Sequence, residues 1–189
     1  LLGDVRCMLN WAEDAGYIDR SPFPKRIMPR IEERPPDRLT DEEVMAVVCI
    51  PDPYGFVARL ALGTGLRWGE LTRAQSSDLM QGALVVPRTK NGKVRRVPVP
   101  EWLMPELRCR IGKLVPFASP GQFNNVVRRR SGVERFHVHQ LRHTFACRWV
   151  EDGGSLAALQ QILGHSSIVT TQRYARISDD LVMREAKRI

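Results

Sequence analysis

The chain has 189 residues, enough for one domain of moderate size with a small attachment and a real hydrophobic core. Hydrophobic residues make up 43% of it and charged residues 26%, which is ordinary for a soluble globular protein. The 29 lysines and arginines outnumber the 21 acidic residues, and the net charge of +8 favours a polyanionic partner such as nucleic acid, because basic groups release counterions when they neutralise phosphates.

The cysteines and the search for targeting segments indicate the kind of cellular compartment in which the protein folds. The four cysteines are far apart in sequence and form no CxxC pair: Cys7, Cys49, Cys109 and Cys147. This argues against a zinc site and a disulfide framework, so we expect buried free thiols in a reducing compartment. No apolar run is long enough to span a membrane, and we expect no signal peptide. The sequence opens in mid-pattern with Leu1, so we expect a fragment.

The first 37 residues are predicted to form a helix followed by a linker. Apolar residues in the stretch 2–16 are spaced as on one amphipathic helix, which Gly16 ends. Several prolines follow among charged residues in the stretch 21–37, and proline disfavours helix at the preceding residue. The sequence therefore predicts a domain boundary near Asp37.

Three helices and a β-hairpin are predicted next. Thr40 and Glu43 form a capping box that begins a helix. A second helix over 53–62 is broken by Gly-Thr-Gly, and a third, short helix begins near Leu66. Apolar segments then flank Asn91-Gly92, which is typical of a tight hairpin turn. The helical pattern resumes at Glu101, with breaks at 116–121, 131–132 and 153–154. The predicted fold class is mainly α with a small antiparallel β-sheet (α+β).

A histidine–arginine cluster is predicted on one of the later helices. In the sequence His139-Gln-Leu-Arg142-His143, the polar residues lie within about 100° of arc, because a helix turns about 100° per residue. Leu141 and Phe145 fall on the adjoining face and can be buried, which would hold the helix rigidly. Taken alone, the cluster is better explained as a solvated helix flank.

A second cluster surrounds the junction of two predicted helices. The stretch 155–163 is expected to be a helix with Gly164 at its left-handed C-terminal position, and one of the two following serines caps the next helix. His165 then lies in a tight corner, and Tyr174 lies two turns into the second helix. Taken alone, such a histidine usually caps a helix and such a tyrosine usually packs against a core.

Two further elements are basic. Arg67 is expected to begin a helix, with Glu70 placed to pair with it or with another cation one turn away. The hairpin tip, residues 88–93, is a basic finger that includes Lys90. Taken alone, these are typical of a surface ion pair and of the charged edge of a small sheet.

Together the four elements resemble the tyrosine recombinases, a family that includes lambda-type phage integrases and Xer-type recombinases. The resemblance covers about residues 38–185, in the order and spacing of the family. The matching pieces are Thr-Gly-Leu-Arg67-x-x-Glu-Leu, the Lys90 hairpin, His139-x-Leu-Arg142-His, Leu-Gly-His165, and Tyr174 nine residues later.

The resemblance implies a site-specific DNA recombinase, an integrase that integrates or excises a mobile element such as a phage. Tyr174 would be the nucleophile that forms a 3′-phosphotyrosyl intermediate. Reversal of that step with the hydroxyl of another strand rejoins DNA, so no metal, nucleotide or other cofactor is expected. The implied location is the cytoplasm of a bacterial cell, at the nucleoid.

The resemblance also implies roles for the other catalytic residues. Arg67 and Arg142 would bind the non-bridging phosphate oxygens, because planar guanidinium groups can do so bidentately. His165 would donate a further hydrogen bond. The hydroxyl of a tyrosine ionises only near pH 10, and His139 would assist as its base. Lys90 would protonate the departing 5′ oxygen.

Further residues are predicted to contact DNA, mainly at phosphates, which contributes affinity but little sequence information. They are Lys93, Arg95, Arg96, Arg128, Arg129, Arg130 and His143. The implied partners are double-stranded DNA with attachment or core sites, accessory DNA-bending proteins, and further copies of the chain in a tetramer on synapsed DNA, with the free chain a monomer.

The resemblance assigns residues 1–37 to the end of a core-binding domain plus linker, and residues 38–189 to a catalytic domain with a C-terminal tail helix. Two alternatives stay open. One is a type IB topoisomerase-like strand transferase, which uses a similar set of Tyr, Arg, Lys and His; the compact His139 and His165 motifs favour the recombinase. The other is a DNA-binding protein without catalysis, which the presence of Tyr174 and both arginines disfavours.

Overall fold

The computed structural model describes residues 2–23, 36–87 and 94–175, and the chain divides into two units, Leu1–Arg34 and Pro35–Ile189. In the first unit, helix α1 spans Leu2–Asp14 and Gly16 follows it with a φ of 76°. This confirms the helix predicted there and the glycine that ends it. The assignment of residues 1–37 to a core-binding domain stays a prediction.

The second unit is mostly helical, as predicted. Among its described residues the helices are α2 (Asp41–Val48), α3 (Tyr54–Thr64), α4 (Trp68–Leu71), α5 (Met104–Arg108), α6 (Pro120–Ser131), α7 (His139–Glu151), α8 (Leu156–Leu163) and α9 (Ile168–Ala175). Thr40 and Glu43 form both hydrogen bonds of the predicted capping box at the start of α2. None of the helices in the described ranges is long and apolar enough to cross a membrane.

A three-stranded antiparallel sheet lies between α4 and α5 in the sequence. Its strands are β1 (Leu79–Met80), β2 (Ala83–Val86) and β3 (Arg95–Pro98), in the order β1-β2-β3. The β2–β3 pairing confirms the predicted hairpin strands, with Val86 opposite Arg95, whereas β1 was not predicted. The hairpin tip that joins β2 to β3 lies outside the described residues.

One large hydrophobic core holds the second unit together. It joins α2, α3, the sheet and α6 to the first half of α7, around fully buried side chains such as Phe56, Phe123 and Phe136. A smaller cluster joins the second half of α7 to α8 and α9 and includes Leu163 and Tyr174. Because α7 contributes to both clusters, its polar residues are held on a rigid element.

The structure differs from the predictions in three details. Pro120 lies at the first turn of α6, where its missing N–H does no harm, so the break predicted over 116–121 ends earlier. Asp37, predicted as linker, accepts hydrogen bonds from Arg135 and Gln140 of the second unit. Of the four cysteines, Cys147 is buried but the other three are exposed, so the predicted buried thiols hold for one.

Candidate active site

Residues from α4, α7 and the α8–α9 segment surround a cleft of about 190 Å³ in the second unit. Its lining comprises Pro36, Arg67, His139, Arg142, His143, His165, Thr170, Arg173 and Tyr174. Five of the six residues predicted as catalytic are therefore brought together. A larger cleft of about 340 Å³ is lined mainly by apolar residues such as Trp102 and Trp149, so the smaller, basic cleft is the candidate site.

Arg142 is the most deeply buried cation of the cleft, with 2% of its surface exposed. Its guanidinium donates to the carbonyl oxygens of Gly65 at 2.6 Å and Leu163 at 2.8 Å, so it joins the end of α3 to the end of α8. Burial and then the charge of Arg67 lower the pKa of Arg142 to about 10. The group remains a cation at neutral pH, because that value is still about three units above it.

Arg67 is held by Glu70, which confirms the predicted ion pair. The Glu70 carboxylate accepts from the Arg67 backbone N–H at 2.8 Å and from its guanidinium at 3.2 Å. The second cation on Glu70 is Arg95 of β3, which makes two bonds of 2.8 and 2.7 Å. Burial raises the pKa of Glu70, but the bonds and charges of Arg95 and Arg67 outweigh it and lower the pKa to about 2. Glu70 is therefore a carboxylate at neutral pH.

His165 lies in the predicted corner between α8 and α9, after Gly164 in the left-handed conformation. Its Nε2 is 2.9 Å from an Arg142 nitrogen and its Nδ1 is 2.9 Å from the Thr171 hydroxyl. Because the guanidinium can only donate, Nε2 accepts and Nδ1 carries the proton. Burial and then the charge of Arg142 lower the pKa of His165 to about 4, so the ring is neutral at neutral pH.

Tyr174 is directed into the cleft from α9, with 5% of its surface exposed. Its Oη lies 2.9 Å from Nδ1 of His143. Burial raises the pKa of Tyr174, while the charge of Arg142 opposes that shift. Burial and then the charge of His139 lower the pKa of His143 to about 4. A neutral imidazole therefore faces a neutral phenol, and the imidazole Nδ1 can accept the phenolic hydrogen.

His139 lies one turn before His143 on α7, at the more exposed end of the cleft. The two rings meet edge to face with centroids 4.6 Å apart. Within the described residues, the hydrogen bond to the Tyr174 hydroxyl is made by His143, and His139 makes none. His143 was predicted to contact DNA, whereas the structure places it against Tyr174.

Each of the remaining predicted residues either lies outside the described part of the chain or does not line the cleft. Lys90 and Lys93 lie outside the described residues. All three guanidinium nitrogens of Arg95 bond within the protein and the residue does not line the cleft, so it is not placed for the predicted phosphate contact. Arg96, on the opposite face of β3, is exposed, and its DNA contact stays a prediction.

The arginine triplet of α6 also lies away from the cleft. Arg128 donates through Nε to the Phe136 carbonyl, and the Arg130 guanidinium lies 5.0 Å from the centre of the Tyr54 ring. Tyr54 begins α3, whereas the cleft lies beyond the other end of that helix, about 16 Å away at 1.5 Å per residue. Contact of Arg128, Arg129 and Arg130 with DNA stays a prediction.

Comparison with known proteins agrees with this arrangement. Residues 118–180 match the phage integrase family, a stretch that includes α7, α8 and α9. The solved catalytic domain of bacteriophage HP1 integrase is similar with a TM-score of 0.65 and 30% identity, over 79% of this chain and 93% of that one. The chain belongs to the phage integrase family of tyrosine recombinases. The family confirms the predicted fold class.

Other family members show how much of a longer protein this chain corresponds to. It is 36% identical over 129 residues to the integrase of Haemophilus phage HP1, over 68% of this chain and 38% of that protein. It is 31% identical over 174 residues to the tyrosine recombinase XerA of Pyrococcus furiosus, over 79% of this chain and 60% of that protein. The chain thus spans between about two fifths and three fifths of the length of these relatives.

Proposed function

We propose that this chain is the catalytic part of a site-specific recombinase that cleaves and rejoins DNA strands through Tyr174. The observation that carries the proposal is the position of the Tyr174 hydroxyl in a cleft that also holds Arg67, Arg142 and His165. A nucleophile beside two permanent cations fits attack on a phosphodiester, because the transition state carries extra negative charge on its non-bridging oxygens.

The two arginines would stabilise that charge in different ways. Arg142 is fixed by the carbonyls of Gly65 and Leu163 before DNA binds, so little reorganisation is needed during reaction. Arg67 is 40% exposed in its side chain and can turn part of its guanidinium toward a bound phosphate while Glu70 holds its backbone. Loss of one such preorganised donor typically lowers a rate by about 10²–10³-fold.

The proton of the nucleophile would pass to His143. The Tyr174 oxygen attacks phosphorus, its hydrogen moves to Nδ1 of His143, and the bond from phosphorus to the 5′ oxygen breaks. The 5′ oxygen leaves with a proton from Lys90, as the resemblance implies. Attack by the 5′ hydroxyl of another strand reverses these steps, so the number of phosphodiester bonds is conserved and no ATP is consumed.

A substrate with a nick just beyond the cleavage site tests this function. Cleavage releases the short strand between nick and cleavage site, so the protein remains trapped on the DNA. We expect a covalent protein–DNA adduct that survives denaturation and forms equally well in EDTA without nucleotide. A chain that binds the site but gives no adduct would be a DNA-binding protein without catalysis.

Lys90 is predicted to be the general acid. Replacing Lys90 with Ala should slow cleavage of an ordinary site by about 10²–10⁴-fold, the usual contribution of a positioned proton donor. A site with sulfur at the 5′ bridging position should restore the rate, because the thiolate leaves without a proton. Lys93→Ala is the matched control on the other side of the predicted Asn91-Gly92 turn. Rescue of Lys93→Ala instead would transfer the role to Lys93.

The DNA partner and the assembly belong to the same proposal. Related recombinases have been solved with DNA, including the Tn1549 transposon integrase with transposon right end DNA, which matches here with a TM-score of 0.75 at 20% identity. We propose that this chain binds duplex attachment sites, that the free chain is a monomer and that four copies assemble on two synapsed sites. Accessory DNA-bending proteins and association with the nucleoid are part of this proposal.

The C-terminal tail is proposed to link the copies in that assembly. Residues 176–189 lie outside the described part of the chain, but their sequence places apolar Ile177 and Leu181 four apart, as on one helix face. We expect the contacts of the tail to form only on DNA, because binding to DNA raises the local concentration of the copies. Deleting residues 178–189 should therefore weaken synapsis and recombination of two sites far more than binding of one site. Gel-shift and recombination assays measure both. A deletion variant that recombines normally would show that the tail plays no part in assembly.

A further inference from the structure

Three arginines from three different elements meet at the last turn of α8. The carbonyl oxygens of residues 162, 163 and 164 each accept a hydrogen bond from a different guanidinium, those of Arg95, Arg142 and Arg67, at 2.9, 2.8 and 3.1 Å. The final carbonyls of a helix have no partner within it and carry partial negative charge, so this turn is suited to cations. These bonds fix the spacing of Arg67 and Arg142, which both line the cleft.

Arg95 differs from the other two because it does not line the cleft. Its guanidinium makes two bonds to Glu70, whose carboxylate in turn holds the backbone and the side chain of Arg67. Arg95 and Glu70 have 11% and 5% of their side chains exposed, so water competes little with this pair. Arg95 thus joins β3 to α4 through the Glu70 carboxylate and to the end of α8 through the Ile162 carbonyl.

Gly164 also makes room for this arrangement. A Cβ built on Gly164 would lie 2.7 Å from one guanidinium nitrogen of Arg95, and the residue has a φ of +65°. Both the backbone conformation and the close approach of the guanidinium therefore favour glycine. The glycine of the Leu-Gly-His165 motif is thus tied to Arg95 as well as to the turn that places His165.

We propose that Arg95 is a positioning residue for catalysis: it acts through Glu70 to hold the Arg67 guanidinium at the distance from Arg142 that the scissile phosphate requires. The proposal rests on the proposed function of the cleft. Without Arg95, Arg67 is the one cation left within bonding distance of the buried Glu70 carboxylate in the part of the chain that the structure describes, and the carboxylate draws that guanidinium away from the substrate. Arg95 influences the reaction without touching DNA.

The test compares Arg95→Gln with wild type and with Arg59→Gln on the nicked substrate. Arg59 is the matched control, because it also bonds to a glutamate, Glu106, and to a backbone carbonyl. It bonds to Asp52 as well, and within the described residues none of these partners bonds to a residue that lines the cleft, whereas Glu70 bonds to Arg67. We expect Arg95→Gln to cleave about 10- to 100-fold more slowly at saturating protein, the scale of small misplacements at a reacting centre, with an unchanged Kd for the site. Arg59→Gln should cleave at the wild-type rate.

A double-mutant cycle separates positioning from loss of fold. Because Arg95 acts through Glu70, the double variant Arg95→Gln/Glu70→Gln should cleave no more slowly than Glu70→Gln alone. The double variant also removes the buried charge that Arg95→Gln leaves unpaired. Its comparison with Glu70→Gln therefore tests whether Arg95 acts through Glu70 even where Arg95→Gln alone fails to fold. Effects that multiply in the double variant, or a raised Kd with an unchanged saturated rate, would overturn the proposal. A wild-type protein that forms no adduct would instead refute the proposed function.

Discussion

Replacing Tyr174 with Phe is expected to abolish the covalent adduct while fold and DNA binding remain. The substitution removes one oxygen, and the ring keeps its place in the apolar cluster with Cys147, Leu159 and Leu163. The lost hydrogen bond to His143 should change the free energy of unfolding by only about 1 kcal/mol. Denaturing gels on the nicked substrate measure the adduct, and gel shifts of an intact site measure binding.

The other tyrosine of the second unit, Tyr54, supplies the control for this result. Tyr54 packs against Phe117 and Phe123 at the start of α3, away from the cleft. Tyr54→Phe should therefore form adduct at the wild-type rate. An adduct formed by Tyr174→Phe would mean that another group attacks the phosphate, and the role given to α9 would have to be withdrawn.

Removal of the His143 ring is expected to slow cleavage by about 10²–10⁴-fold, the usual contribution of a positioned base. His143 is the histidine within hydrogen-bond distance of the Tyr174 hydroxyl, and no other acceptor of that hydrogen is found in the described part of the cleft. Added imidazole should partly restore the rate of His143→Ala, because it can occupy the space that the ring leaves. His137→Ala is the control, since His137 pairs with Asp37 and does not line the cleft.

The pH dependence of cleavage follows from the pKa of His143. Burial, the charge of His139 and the charges of Arg173 and Arg142 lower that pKa to about 4, so the ring can accept a proton at every pH well above that value. The wild-type rate should be nearly level from about pH 8 to 6 and fall as the pH approaches 4.

A His143→Ala variant that cleaves like wild type, beside a His139→Ala variant that does not, would return the role of base to His139.

Short-range patterns in the sequence predicted the local structure well. The capping box of Thr40 and Glu43, the left-handed glycine at 164, and the two strands around Asn91-Gly92 are all present as expected. Each depends on residues within a few positions of one another, where backbone geometry is decisive. The resemblance that the polar motifs carry together implied five of the residues that line the cleft.

Long-range contacts explain what the sequence did not predict. Arg95, at the start of β3, has exposed neighbours on both sides, and the sequence indicated a basic surface residue. Folding brings it instead to Glu70, 25 positions earlier in the chain. His143 meets Tyr174 only because α7 packs against α9, 31 positions later. One signal was available: Arg95 and the buried Val97 share one face of the strand, so Arg95 points toward the core rather than toward solvent.

The chemical identity of the trapped adduct tests the central claim most directly. Protease digestion of the adduct, followed by mass spectrometry, should find a peptide in which Tyr174 carries the DNA through its 3′ phosphate, while the released strand has a free 5′ hydroxyl. The same linkage should form in EDTA. Attachment through a 5′ phosphate, or to any residue other than Tyr174, would contradict the mechanism proposed for this cleft.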